Sequence, residues 1–146
     1  HRKMPGYIAV SEFAKKSDRL LSNTVKLIND ILAINPNFKF YLENPVGVMR
    51  KMQVLKNFDR ATIYYCRYGD TRMKPTDIWT NDLKSIFNQN GWQPRRKCWN
   101  NNKKCHHESA PRGSKTGTQG RKGSYNRSKI PIELCIEILK SLNPQG

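Results

Sequence analysis

Apolar residues change their rhythm several times along this chain, and each change predicts an element. From residue 17, Leu20, Leu21, Thr24, Leu27, Ile28, Ile31 and Leu32 recur at helical spacing. Ser17-Asp18 supplies a start and Asn35-Pro36 a stop, so a helix is predicted between them. Phe38-Lys39-Phe40-Tyr41-Leu42 then reads as a short buried strand. Residues 46–59 read as a loop with a helical turn carrying Met49, Met52 and Leu55. Residues 61–66 read as a second strand, Tyr68-Gly69-Asp70 as a turn and residues 77–80 as a third strand. A short helix is predicted over residues 83–87, ended by Asn90-Gly91. The last helix follows Ile130-Pro131 and carries Ile132, Leu134, Cys135, Ile138, Leu139 and Leu142. Pro131 suits its first turn, where a missing N–H costs nothing. Helix followed by strand suggests an α/β sheet.

Residues 92–129 break this pattern. They are rich in Lys, Arg, Asn, Gly and Ser and nearly free of aliphatic side chains, so they cannot bury enough surface to fold unaided. A metal, the rest of the domain or a ligand must pin them. Residues 1–16 read as basic and irregular. No run approaches the ~18–20 apolar residues that span a bilayer, and nothing resembles a secretory signal. The expected location is therefore the cytoplasm, with no membrane partner.

Charge narrows the function. Twenty-seven Lys and Arg face eleven Asp and Glu, a net charge of +16 over 146 residues. Such a field attracts polyanions, nucleic acid above all; the bland alternative is a basic protein without that ligand. Arg95, Arg96, Lys97, Arg112, Lys115, Arg121 and Lys122 are interleaved with small polar residues that let backbone approach phosphate. The competing reading is a solvated loop. Cys98, Cys105, His106 and the adjacent His107, with Cys66 at a strand end, offer enough N and S donors for tetrahedral zinc. Cys66, Cys98, Cys105 and His106 are the expected ligands, against the alternative of reduced thiols and phosphate-contacting histidines. Glu43, just after an apolar run, is placed to face a crevice at a strand's carboxyl end, or simply to cap a turn or pair with an arginine.

Three stretches, in order, carry a resemblance: Glu43-Asn44-Pro45, Tyr68-Gly69-Asp70-Thr71-Arg72-Met73-Lys74, and Asn126-Arg127-Ser128-Lys129-Ile130-Pro131. They resemble the Glu-Asn-Val, Tyr-Gly-x-x-Gln-x-Arg and Gly-Asn-x-x-Pro motifs of DNA (cytosine-5) methyltransferases of the phage and prophage type. The resemblance covers roughly residues 18–142. It implies part of a Rossmann-type, S-adenosylmethionine-methyltransferase-like sheet over residues 1–91 and 130–146, with residues 92–129 as a basic target-recognition insert, the segment that zinc on the Cys/His group would staple. It implies a protein, virus-encoded or from a bacterial host, that binds duplex DNA and reads a flipped cytosine.

Carried over residue by residue, Glu43 would hold the N3/N4 edge of the base and stabilise charge in the attacked ring. Asn44 and Pro45 would shape the pocket wall. Lys74 would orient Glu43 or touch phosphate. Thr76 falls where the family has a second arginine, and Arg72 is the candidate substitute in DNA contact. Asn126 would lie toward the S-adenosylmethionine cofactor. The family's Pro-Pro-Cys nucleophile loop and Gly-rich cofactor loop have no counterpart here, and the sequence opens on His1 rather than Met. The expectation is therefore an enzyme whose cofactor half is missing or on a second chain, this chain alone being inactive. The alternative is a non-catalytic basic DNA-binding module derived from that scaffold.

Overall fold

The computed structural model describes residues 2–3, 7–108 and 124–143. Short strands β1 (Arg2–Lys3) and β2 (Ile8–Ala9) pair antiparallel and lead into helix α1 (Glu12–Ile34). Then come β3 (Tyr41–Pro45), two single 3-10 turns (Val48–Lys51 and Gln53–Leu55), β4 (Asp59–Tyr64), a further 3-10 turn (Tyr65–Tyr68) and β5 (Pro75–Thr80). Helices α2 (Ser124–Ser128) and α3 (Ile132–Leu142) close the described chain. None of these helices is long and apolar enough to cross a membrane.

The fold is mixed α/β around a three-stranded sheet of order β3-β5-β4. Both outer strands run antiparallel to β5 and hence parallel to each other, with Glu43 opposite Ile78 and Ala61 opposite the same Ile78. Strand alternation gives each face its own core. On one face Ile63, Ile78, Tyr65 and Trp92 pack with Leu134 of α3. On the other, Trp79 packs with Val25 and Ile28 of α1 and with Phe40 and Leu55. Each such buried side chain contributes about 1.5–3 kcal/mol.

Several elements differ from the pattern-based reading. Helix α1 begins at Glu12, five residues before the expected start at Ser17, because the Ser11 hydroxyl accepts the Ala14 amide at 3.2 Å and caps it. Residues 1–16 are thus not wholly irregular. Strand β3 starts at Tyr41 rather than Phe38, because the Asn81 side chain takes over the ladder bonds of that run: its Oδ1 accepts from the Phe40 amide and its Nδ2 donates to the Phe38 carbonyl at 2.8 Å. Glu43 therefore lies within a strand, not beyond its end. Strands β4 and β5 each start two residues early.

No helix forms over residues 83–87. Ser85 Oγ accepts the amides of Phe87 and Asn88, and Leu83 bridges to Trp92. Local side-chain bonds of this kind compete with a helix for the backbone. Trp92, expected to open the insert, sits in the core at 1% exposure.

Candidate functional site

Two polar groupings stand out. The first gathers around Glu43. The 3-10 turn after β4 ends at Gly69, whose φ of 85° is open to glycine. The Tyr65 amide donates to the Met73 carbonyl at 2.9 Å and brings residues 72–74 back beside Tyr65. The Tyr65 hydroxyl donates to Glu43 Oε1 at 2.9 Å. Burial, reinforced by the Glu43 carboxylate, pushes the Tyr65 phenol up, so it stays a donor. Lys74 Nζ lies 4.5 Å from the centre of the Tyr65 ring and donates to the Arg127 carbonyl at 2.9 Å. Burial pulls the Lys74 ammonium below the usual lysine range, and Glu43 works against that pull. Lys74 also holds a φ of 28°.

A cavity of about 340 Å³ opens on the α1 side of the sheet, between Leu20, Leu21 and Thr24 of α1 and Leu42, Glu43 and Asn44 of β3. That volume lies at the small end of ligand pockets. Glu43 and Asn44, both half-buried, sit on its wall.

Arg72 is placed otherwise. It is 1% exposed, bonded to the Asp70 carboxylate and to the carbonyls of Asn126, Arg127 and Lys129. The expectation of a DNA contact is corrected: the guanidinium is a buried clamp that neutralises the C-terminal carbonyls of α2. The Arg95 expectation changes likewise. Its Nε reaches Glu137 at 2.6 Å, its Nη1 reaches Glu133 at 2.9 Å, and its guanidinium covers Tyr68, so it fastens this segment to α3. Arg96 and Lys97 are exposed. Arg112, Lys115, Arg121 and Lys122 lie outside the described residues. Asn126 sits exposed on α2 with its carbonyl committed to Arg72.

The second grouping comprises Cys66, Cys98, Cys105 and His107, whose ligand atoms all lie within 4.8 Å of one another. This arrangement can hold a metal ion. The expected ligand His106 is replaced by His107. The Cys105 amide donates to the Asn102 carbonyl and closes a turn, and the Glu108 amide donates to the Thr71 carbonyl at 2.9 Å. Between these bonds Cys105 and His107 are half-buried, whereas His106 is turned to solvent. Asn102, buried, donates to Cys98 Sγ at 3.5 Å and supports it. Burial and the neighbouring thiols push the Cys66 thiol up. Burial also raises Cys105, but hydrogen bonds from the backbone and ring of His107 and from the two other thiols more than offset it, leaving about 6. A lowered Cys105 thiol favours thiolate, the form that binds metal.

Sequence reasoning missed Tyr65, Asn102 and a buried ion pair. Asp77, fully buried in β5, accepts from Arg50 Nε at 2.9 Å and Nη2 at 2.7 Å and from Thr62. A lone acid between Thr76 and Ile78-Trp79 was the available signal. Cys-x-His spacing was the signal for His107. No protein-family model, curated protein or solved structure matches the chain.

Proposed function

We propose that this chain is the base-reading, DNA-binding part of a DNA (cytosine-5) methyltransferase. The observation that carries the reading is Glu43: a strand carboxylate on a cavity wall, fixed by the Tyr65 hydroxyl at 2.9 Å, with Lys74 in electrostatic reach. A carboxylate fixed in that way is preorganised to accept from the exocyclic amine of a flipped cytosine. Lys74 is a positioning residue. Its left-handed backbone is the sort of strain that functional sites retain. S-adenosylmethionine supplies the methyl group in this chemistry, and its Gly-rich loop and the Pro-Pro-Cys nucleophile belong outside this chain.

Two features favour completion of a Rossmann-type sheet by further strands. The outer edge of β3 pairs with no strand among the described residues. Phe13, Leu20, Leu27 and Ile34, seven residues apart, form an exposed apolar stripe on α1, and Leu20 borders the same cavity as β3. An open edge beside an uncovered stripe is what a sheet divided between two parts would leave.

The metal we assign to the Cys66, Cys98, Cys105 and His107 group is zinc in a closed structural site, as four protein ligands dictate. Zn–S bonds of ~2.3 Å set ligand separations of about 3.8 Å, so the group need contract only slightly. Zinc would tie residues 98–107 to the 3-10 turn after β4.

The test is S-adenosylmethionine-dependent methylation of DNA by the complete gene product and by its Glu43→Ala variant. The expected loss is about 10²–10³-fold, the usual effect of removing one preorganised transition-state contact. A complete product that binds DNA but never methylates it, or a variant as active as the parent, overturns the reading. The first outcome leaves a non-catalytic DNA-binding module.

A further inference from the structure

We infer that residues 96–107, folded around the thiol–imidazole group, present Trp99 as a stacking platform for an unpaired DNA base. The inference rests on the DNA-binding part of the proposed function and not on cytosine chemistry. The chain has three tryptophans. Trp79 and Trp92 are core residues at 2% and 1% exposure, whereas Trp99 stands 61% exposed. It contributes nothing to either sheet-face core.

Its backbone is nonetheless held. The Trp99 carbonyl accepts from the Asn102 amide at 3.3 Å. The Asn102 side chain in turn holds Cys98, a member of the metal-holding group. A fixed backbone under an open indole is a contact surface whose ordering cost is met before binding.

Charge around it selects the ligand. No Asp or Glu occurs between Asp82 and Glu108. Arg96, Lys97, Lys103 and Lys104 are all exposed, and none has an ion pair among the described residues. Arg50, Arg72 and Arg95, by contrast, are matched: Arg50 with Asp77, Arg72 with Asp70, Arg95 with Glu133 and Glu137. Four unmatched cations thus lie within five residues of Trp99. An aromatic face flanked by cations suits a base with its neighbouring phosphates, the combination that single-stranded nucleic-acid sites use. Fully paired bases keep their faces stacked, so the preferred ligand is an unpaired one.

The experiment titrates the zinc-loaded chain into two fluorescein-labelled duplexes that differ by a single bulged base. Tighter binding to the bulged duplex is expected. Trp99→Ala should reduce that preference roughly 5- to 150-fold, the range for one stacked base, and leave binding to the paired duplex unchanged. Trp99→Phe should keep most of it. Lys103→Ala with Lys104→Ala should flatten the salt dependence on both duplexes, by about 0.9 in log–log slope per lost phosphate contact. Zinc content reports whether each variant stays folded around the metal. Equal binding to the two duplexes, or a preference untouched by Trp99→Ala, overturns the inference while DNA binding stands. No binding to either duplex overturns both.

Discussion

Arg72 shows how a single residue can invert its meaning on folding. In the sequence it is one cation among many, and charge reads as surface. In the structure it joins Asp70 to three carbonyls around the end of α2. Arg72→Ala should therefore cost about 3–5 kcal/mol in urea unfolding, the penalty for breaking a buried ion pair. Arg72→Lys should recover little, since an ammonium cannot reproduce the guanidinium fork. Asp82 gives a pH prediction. Burial pushes its carboxyl up, but bonds from Tyr41, Asn88 and Lys39 outweigh that and hold it below the usual aspartate range. Because the folded value is the lower one, its stabilisation is present above about pH 4 and lost as pH falls through the folded value. Asp82→Asn should flatten that acid limb in urea midpoints measured across it. What the sequence hid at this scale was partners. Lys74 and Glu43 could be named from their motifs, but Tyr65, which links them, is one aromatic among six tyrosines.

Elements were legible wherever periodicity was long. Helix α1 and helix α3 follow from their spacing, and all three strands of the sheet were found within two or three residues. Side chains that imitate backbone caused the misses. Asn81 takes the bonds that would have started β3 at Phe38, and Ser85 takes those of a helix at residues 83–87. The periodicity of α1 also conceals two faces. Leu21, Val25, Ile28 and Leu32 pack inward, whereas Leu20 and Leu27 point away. Ser11 sets where this helix begins. Ser11→Ala should cost about 1 kcal/mol, read as a lower urea midpoint with an unchanged slope.

Across the whole molecule, the open edge of β3 and the stripe on α1 leave apolar and hydrogen-bonding surface uncovered together. The isolated chain should self-associate with rising concentration in sedimentation velocity. Leu20→Lys with Leu27→Lys should suppress this without lowering stability, since both side chains are already exposed. The metal-holding group has a further consequence, one of timing. Its members come from the 3-10 turn after β4 and from a loop beyond β5. Cys66 leaves the ribosome about forty residues ahead of His107, roughly two to eight seconds at ~5–20 residues per second. For most of that interval, until Cys98 emerges, the first thiol has none of its fellow ligands. Metal supply and redox state during translation, rather than after purification, should thus decide what fraction of chains acquires a correctly fastened basic loop.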